Sequence, residues 1–180
     1  AIDTLGFRGE ALASIASVAQ VSIISNDERS EGSEINVLDG NLSDVIPAPK
    51  IDGTQITIKD LFYNTPARRK FLKTPRTEAR KIIETVKKFG LSCPDSGFSL
   101  VVDGKKIIDL FPESLEDRIG SLFENTYQQN IIPIMISKAD FTFSGFIGNL
   151  NLIRKRFGEQ YLFLNGRYIK DRLLNSAVYS

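Results

Sequence analysis

"LGFRGEALASIASVAQVSIIS" occupies residues 5–25 and passes from a pair of glycines to a helical pattern and then to a strand. Leu12, Ile15, Ala16 and Ala19 fall at i, i+3, i+4 and i+7, the single apolar stripe of an amphipathic helix over residues 10–20. Residues 21–25 are rich in β-branched side chains and predict a strand. Gly6 and Gly9 stand three apart just before the helix, with Glu10 in its first turn. Backbone N–H groups at a helix start have no intrahelical partner and carry the positive end of the dipole. Glycine there lets an anion come close. By spacing alone the pair reads first as a tight loop-to-helix junction, since GxxG is neither GxGxxG nor a Walker loop.

Further along, Ile56 and Ile58 alternate with Thr57 and Lys59, the pattern of a half-buried strand. "NTPARRKFL" then starts a helix, with Thr65 as N-cap and Pro66 in the first helical position. The same signal recurs at Thr74-Pro75, where Ala79, Ile82, Ile83 and Val86 stripe a longer helix stopped by Gly90. Asp-Gly at 39–40, Asp-Gly at 103–104 and Asn-Gly at 165–166 mark hairpin turns. Pro47 and Pro49 break regular structure over residues 46–50. Residues 114–123 form a helix capped by Ser114, with Leu115, Ile119, Leu122 and Phe123 facing inward. Strands follow at 131–137, 141–148 and 161–169, and residues 170–180 close as a helix. Clean βαβ alternation is missing, so the class is α+β with antiparallel or mixed sheets. A domain break is expected at 113/114.

The 180 residues contain no histidine and one cysteine, Cys93. An internal disulfide, a zinc site and a Ser-His-Asp triad are therefore excluded within this segment. There is no signal-peptide pattern at residues 1–10 and no apolar run of transmembrane length. The net charge of +1 conceals clustering. Residues 65–90 hold nine basic side chains against two acidic ones, and residues 154–172 hold six against two. Such clusters suit a phosphate-bearing partner, or simply make solvated helix faces. For Arg68, Arg69 and Lys70 both readings stay open: contact with a nucleic-acid backbone, or pairing with the acidic remainder of the chain. Phe62, Phe71 and Phe89 are read as core rather than as base-stacking platforms.

Two stretches together carry a resemblance. "TLGFRGEALASIASVAQVSI" (4–23) and "GTQITIKDLFYNTPARRKFLK" (53–73) resemble the MutL family of DNA mismatch-repair ATPases, and "YLFLNGRYIKDRLLNSAV" (161–178) is similar to a later segment of the same family. The family belongs to the gyrase, heat-shock chaperone, histidine kinase and MutL (GHKL) group. The resemblance implies an ATP-binding α/β sandwich whose C-terminal part is residues 1–113. It implies a second domain like domain 2 of ribosomal protein S5, whose N-terminal part is residues 114–180. It also implies that Gly6, Phe7, Arg8, Gly9, Glu10, Ala11 and Leu12 form a lip over the β- and γ-phosphates of ATP, and that Thr54, after Gly53, lies under the adenine. Arg167, in the Asn-Gly-Arg turn, would contact the DNA backbone.

The family's general-base glutamate and magnesium-holding asparagine come from an E-x-x-x-N motif, and its adenine aspartate from D-x-G-x-G; neither motif is found in this chain. The chain starts where the third motif starts and ends before the downstream lysine that reaches the γ-phosphate. It is thus expected to be a fragment, or to lack resolved flanks, and by itself to be catalytically inactive, with no catalytic residue and no magnesium ligand of its own. Glu10 is placed in the lip rather than as the base. The implied partners are DNA, bound without regard to sequence, a mismatch-recognition protein of the MutS family, and a second copy or a paralogue joined on ATP binding; no membrane is expected. The setting would be cytoplasmic or nucleoid in a bacterium and nuclear in a eukaryote. The alternative from a different class is a non-catalytic module that binds the DNA backbone.

Overall fold

The computed structural model describes residues 10–27, 31–153 and 159–179. The chain divides into two compact units, Ala1–Thr74 and Pro75–Ser180.

The first unit is a sheet with one short helix on it. Helix α1 (Ala11–Ala16) leads into strand β1 (Gln20–Ser25), followed by β2 (Gly32–Leu38), β3 (Asn41–Leu42), β4 (Ile46–Ala48), β5 (Thr54–Lys59) and the one-turn helix α2 (Pro66–Arg69). The strand order is β3-β2-β1-β5, with β4 beside the start of β2, and every pairing is antiparallel. Val21 sits between Val37 and Ile58, and Ile23 between Ile35 and Ile56, so one face of the sheet is apolar. Ala16, Val21 and Val37 form its buried centre, with Ile15 and Ile23 packed around them.

Helix α1 is shorter than the stripe predicts. It ends at Ala16 with Ser17 as its cap, and Gln20 already pairs with Lys59 in the sheet. Ala19, the last residue of the predicted stripe, is fully buried in the turn between helix and strand. Ile56 and Ile58 lie on the apolar face yet remain 44% and 45% exposed, because among the described residues β5 has a hydrogen-bonded neighbour on only one side. Residues 46–48 form a strand where proline predicted a break. Pro47 lies opposite Ser33 on an edge strand, which needs only one of its two rows of hydrogen-bonding groups.

The second unit begins with α3 (Pro75–Ser92), then β6 (Phe98–Val102), β7 (Lys105–Leu110), α4 (Leu115–Phe123), α5 (Asn125–Gln128), β8 (Ile131–Lys138), β9 (Phe141–Gly148), a 3-10 turn (Leu150–Leu152), β10 (Leu162–Leu164), β11 (Arg167–Ile169) and α6 (Arg172–Tyr179). Its strands pair as three separate antiparallel ribbons, β6-β7, β8-β9 and β10-β11. Helix α3 continues two residues past Gly90. That glycine is an interior packing position and not a stop: a Cβ there would lie 3.1 Å from Leu110 Cδ1 and 3.5 Å from Arg118 Nη1.

Arg118 organises this unit. Its side chain is fully buried, and its Nε donates to Glu113 Oε1 at 2.7 Å. Its Nη groups donate to the carbonyls of Gly90 (3.3 Å), Pro94 (2.8 Å), Ser96 (3.0 Å) and Phe111 (2.7 Å). One guanidinium thus satisfies the end of α3, the loop after it and the exit from β7. It spans the expected 113/114 break, joining residues from both sides of it.

Candidate nucleotide and nucleic-acid sites

Residues 6–9, the glycine-bearing part of the predicted lip, lie outside the described residues, as do Arg154, Lys155 and Arg156. The rest of the lip stands at the start of α1. Glu10 is its N-cap, and its carbonyl accepts the first helical bond, from Ser14 N–H at 3.0 Å. The Glu10 side chain makes no cap bond, and Glu10, Ala11 and Leu12 are all exposed. Amides at a helix start have no intrahelical partner, and such groups are what an anion needs.

The other end of α1 is fastened by the loop between β5 and α2. Phe62, in the left-handed region at φ 65°, donates its N–H to Val18 O at 2.7 Å. Asn64 Nδ2 donates to Ser17 O at 3.1 Å and also to Asp39 Oδ1 at 3.3 Å. The Tyr63 hydroxyl donates to Asp39 Oδ1 as well. That bond, and then burial, holds the Tyr63 hydroxyl above the ordinary tyrosine pKa. Three stretches far apart in sequence meet here: the end of α1, the Asp39-Gly40 turn and the Tyr63-Asn64 segment. Sequence reasoning missed this clamp. The signal available was the polar Tyr-Asn pair directly before an N-cap threonine. Thr65 itself caps α2 by position only; its hydroxyl makes no cap bond and is buried without a partner.

Thr54 begins β5, exposed, after Gly53 at φ 88°, and its hydroxyl is 2.8 Å from that of Ser25. Arg68, Arg69 and Lys70 are exposed at and just after α2, and no described ion pair includes them. On α3 part of the basic charge is spent internally: Lys81 pairs with Glu78 at 3.0 Å and Lys87 with Glu84 at 3.7 Å. Phe71 is 80% exposed and Phe89 44%, so neither is the core residue expected. Phe71 falls just past the end of α2, where no described element covers it.

At the far end of the chain, Asn165 (φ 50°) and Gly166 (φ 76°) form the tight turn that the Asn-Gly pair predicts. Arg167 follows it, half-buried, opposite Leu164. Residues 6–12 and 54 belong to the first unit and Arg167 to the second.

Residues 119–180 match the family model described as "DNA mismatch repair protein, C-terminal domain". The DNA mismatch repair protein MutL of Agrobacterium fabrum is 41% identical over 181 residues, covering 98% of this chain and 30% of that protein. The chain belongs to the MutL family. The MutL of Streptococcus pneumoniae is 40% identical over 98% of this chain and 28% of its own length. Among solved structures, the Aquifex aeolicus MutL ATPase domain complexed with ADP superimposes with a TM-score of 0.80 at 31% identity, over 94% of this chain and 66% of that one. The ATPase domain from the bacterial mismatch repair endonuclease Aquifex aeolicus MutL gives 0.76 at 27% identity, over 97% and 68%. The fold is thus that of a GHKL-type MutL ATPase region, α+β as the segment order predicts. The chain spans about 30% of the length of the curated MutL relatives it matches. Among the described residues no helix is long and apolar enough to cross a membrane.

Proposed function

We propose that this chain is the part of a MutL ATPase that grips the phosphates of ATP and contacts the DNA backbone, linking nucleotide-driven dimerisation to repair signalling. The observation that carries the reading is the start of α1. Its N-cap Glu10 makes no side-chain cap bond and Glu10–Leu12 are exposed, directly after Gly6 and Gly9 in the sequence, while its other end is clamped by Asn64 and Phe62. Such a helix start presents N–H donors and a positive dipole end to an anion, and the likeness to a MutL domain that was solved with ADP supports a nucleotide as that anion.

Gly6 to Leu12 would hold the β- and γ-phosphates, and Thr54 would sit under the base. ATP supplies the phosphoryl bond to be cleaved, and these residues would orient it and shield it from water. Among the described residues no three His, Cys, Asp or Glu side chains gather as a metal site. The ligand for the magnesium expected with ATP and the hydrolytic base would both come from outside this segment. Arg68, Arg69, Lys70 and Arg167 would contact DNA phosphates, which carry no base information. A MutS-family protein would recognise the mismatch, and the dimer partner would be a second copy or a paralogue. Residues 1–113 are assigned to the ATP-binding domain and 114–180 to the S5-like domain; the family match beginning at residue 119 supports that module division.

The test is Gly9→Val in the full-length protein. A side chain there crowds the phosphate or strains the backbone, so ATP binding is lost while the circular dichroism spectrum stays native. Unchanged nucleotide affinity removes the lip from the site.

A further inference from the structure

Helix α3 presents Glu84, Lys87 and Lys88 at i, i+3 and i+4, on one face. That face meets a cluster of aromatic rings. Lys88 Nζ lies over the Tyr168 ring, 4.2 Å from its centroid, and Lys87 Nζ lies 5.0 Å from that of Phe123. The Tyr161 hydroxyl donates to Glu84 Oε2 at 3.3 Å. Tyr161 is also 6.4 Å from Tyr168 and 5.5 Å from Phe123, centroid to centroid, and Phe163 stands edge-on to Tyr168 at 5.9 Å. Burial, and then the charge of Glu84, push the Tyr161 hydroxyl well above the ordinary tyrosine pKa, consistent with a hydroxyl held as a donor. Tyr161, Phe163 and Tyr168 belong to the β10-β11 ribbon and its entry, and Phe163 pairs directly across from Tyr168.

We propose that Glu84, Lys88, Tyr161 and Tyr168 form a mount that fixes the ribbon to α3 and thereby aims Arg167, making them positioning residues for DNA binding. The reasoning is pleat geometry. Successive side chains of a strand point to opposite faces. Pinning Tyr168 beneath Lys88 therefore commits its neighbour Arg167 to the other face, next to a turn whose two positive-φ residues leave little freedom. The same contacts give Lys87 and Lys88 partners inside the second unit. Their ammonium groups act within the fold, although by sequence they belong to the basic cluster of residues 65–90. The proposal rests on the reading that Arg167 touches a DNA phosphate.

The test is a double-mutant cycle on DNA affinity in the full-length protein, by anisotropy with a random-sequence duplex at several salt concentrations. Tyr168→Leu and Tyr161→Phe remove no charge, so a simple loss of electrostatic attraction cannot explain any effect they have. Each should weaken binding, Tyr168→Leu by about three- to tenfold, the scale of one cation–π contact. In an Arg167→Gln background neither should weaken it further, because the residue they aim is gone. Lys88→Arg, which keeps a cation over the ring, should bind as wild type, whereas Lys88→Met should match Tyr168→Leu. Hydrogen exchange of the 161–169 peptide monitors folding; it should quicken in Tyr168→Leu while peptides from α4 stay protected. Equal losses in the wild-type and Arg167→Gln backgrounds overturn the mount. Arg167→Gln with unchanged affinity and unchanged salt slope overturns the DNA reading itself, a different result from the first.

Discussion

Arg118→Met is the sharpest perturbation of this fold. The substitution keeps much of the side chain's volume and removes every donor. It strands the carbonyls of Gly90, Ser96 and Phe111, and it leaves the Pro94 carbonyl with only the Glu113 N–H at 3.1 Å and the Glu113 carboxylate, about four-fifths buried, with only the Ser121 hydroxyl at 3.0 Å. Each buried acceptor left without a donor costs about 1–3 kcal/mol, and adding three such terms would already be a large part of the whole stability of a domain, about 5–15 kcal/mol. Water entering the emptied site relieves part of this, so the better guide is the loss of one partner from a buried ion pair, about 3–5 kcal/mol. At about 1.4 kcal/mol per factor of ten, local opening becomes more frequent by two to three and a half powers of ten. Native-state hydrogen exchange with mass spectrometry reads that directly. Peptides covering the end of α3, the β6-β7 ribbon and α4 should exchange faster by that factor. Peptides from β1 and β5, which hold none of the partners, should not change. Glu113→Gln keeps an acceptor for Arg118 Nε but removes the charge opposite a fully buried guanidinium, so it too should destabilise the unit, by less than Arg118→Met because the carbonyls keep their donors. An increase of less than tenfold in Arg118→Met, or an equal one in β1, would refute the hub.

Gly32→Ala should destabilise the β2-β4 pairing by about 1–3 kcal/mol, the usual cost of overpacking. Its Cβ would fall 2.3 Å from Pro49 O and 2.8 Å from Ala48 O, both backbone atoms that cannot swing aside; urea denaturation measures the loss. Asn64→Ala removes the bonds to Ser17 O and Asp39 and should cost about 1 kcal/mol, with faster exchange confined to amides near residues 17–20 and weaker nucleotide binding if the clamp supports the lip. Tyr63 and Tyr161 should ionise above the ordinary tyrosine range in a spectrophotometric alkaline titration, since both hydroxyls are raised in the folded state. Unfolded tyrosine loses its proton near pH 10. Above that pH the unfolded chain binds fewer protons than the folded one, so stability falls as pH rises, with no such effect at neutral pH. Tyr161→Phe should flatten that fall.

Local rules made much of this legible. The Asp-Gly and Asn-Gly pairs gave three turns, each with positive φ at both positions. Ser114 caps α4 as predicted, its hydroxyl accepting from Asp117 N–H at 3.1 Å. What failed was anything set by tertiary contact. Gly90 reads as a stop because glycine ends helices; it is inside one because Leu110 and Arg118 need the space. Pro47 reads as a breaker, and the edge of a sheet accommodates it. Arg118 sits at i+3 from Leu115 and i−4 from Leu122, within the apolar stripe of α4, and a charged residue in that register was the available clue. Asp39 and Asn64 could not be joined from sequence, since nothing local says that residues 25 apart share a hydrogen bond.

The sheet of the first unit has two unlike margins. On the β4 side the outer strand is three residues long and carries a proline, so a further strand laid there meets a missing donor and little length to hold. On the β5 side, among the described residues, six residues present a row of backbone groups with no strand beyond them, backed by Ile56 and Ile58 on the apolar face. Growth of this sheet is therefore directional. A strand added next to Thr54–Lys59 finds the longer run of backbone partners, which makes that margin the place to put a charge when solubility of the first unit is wanted.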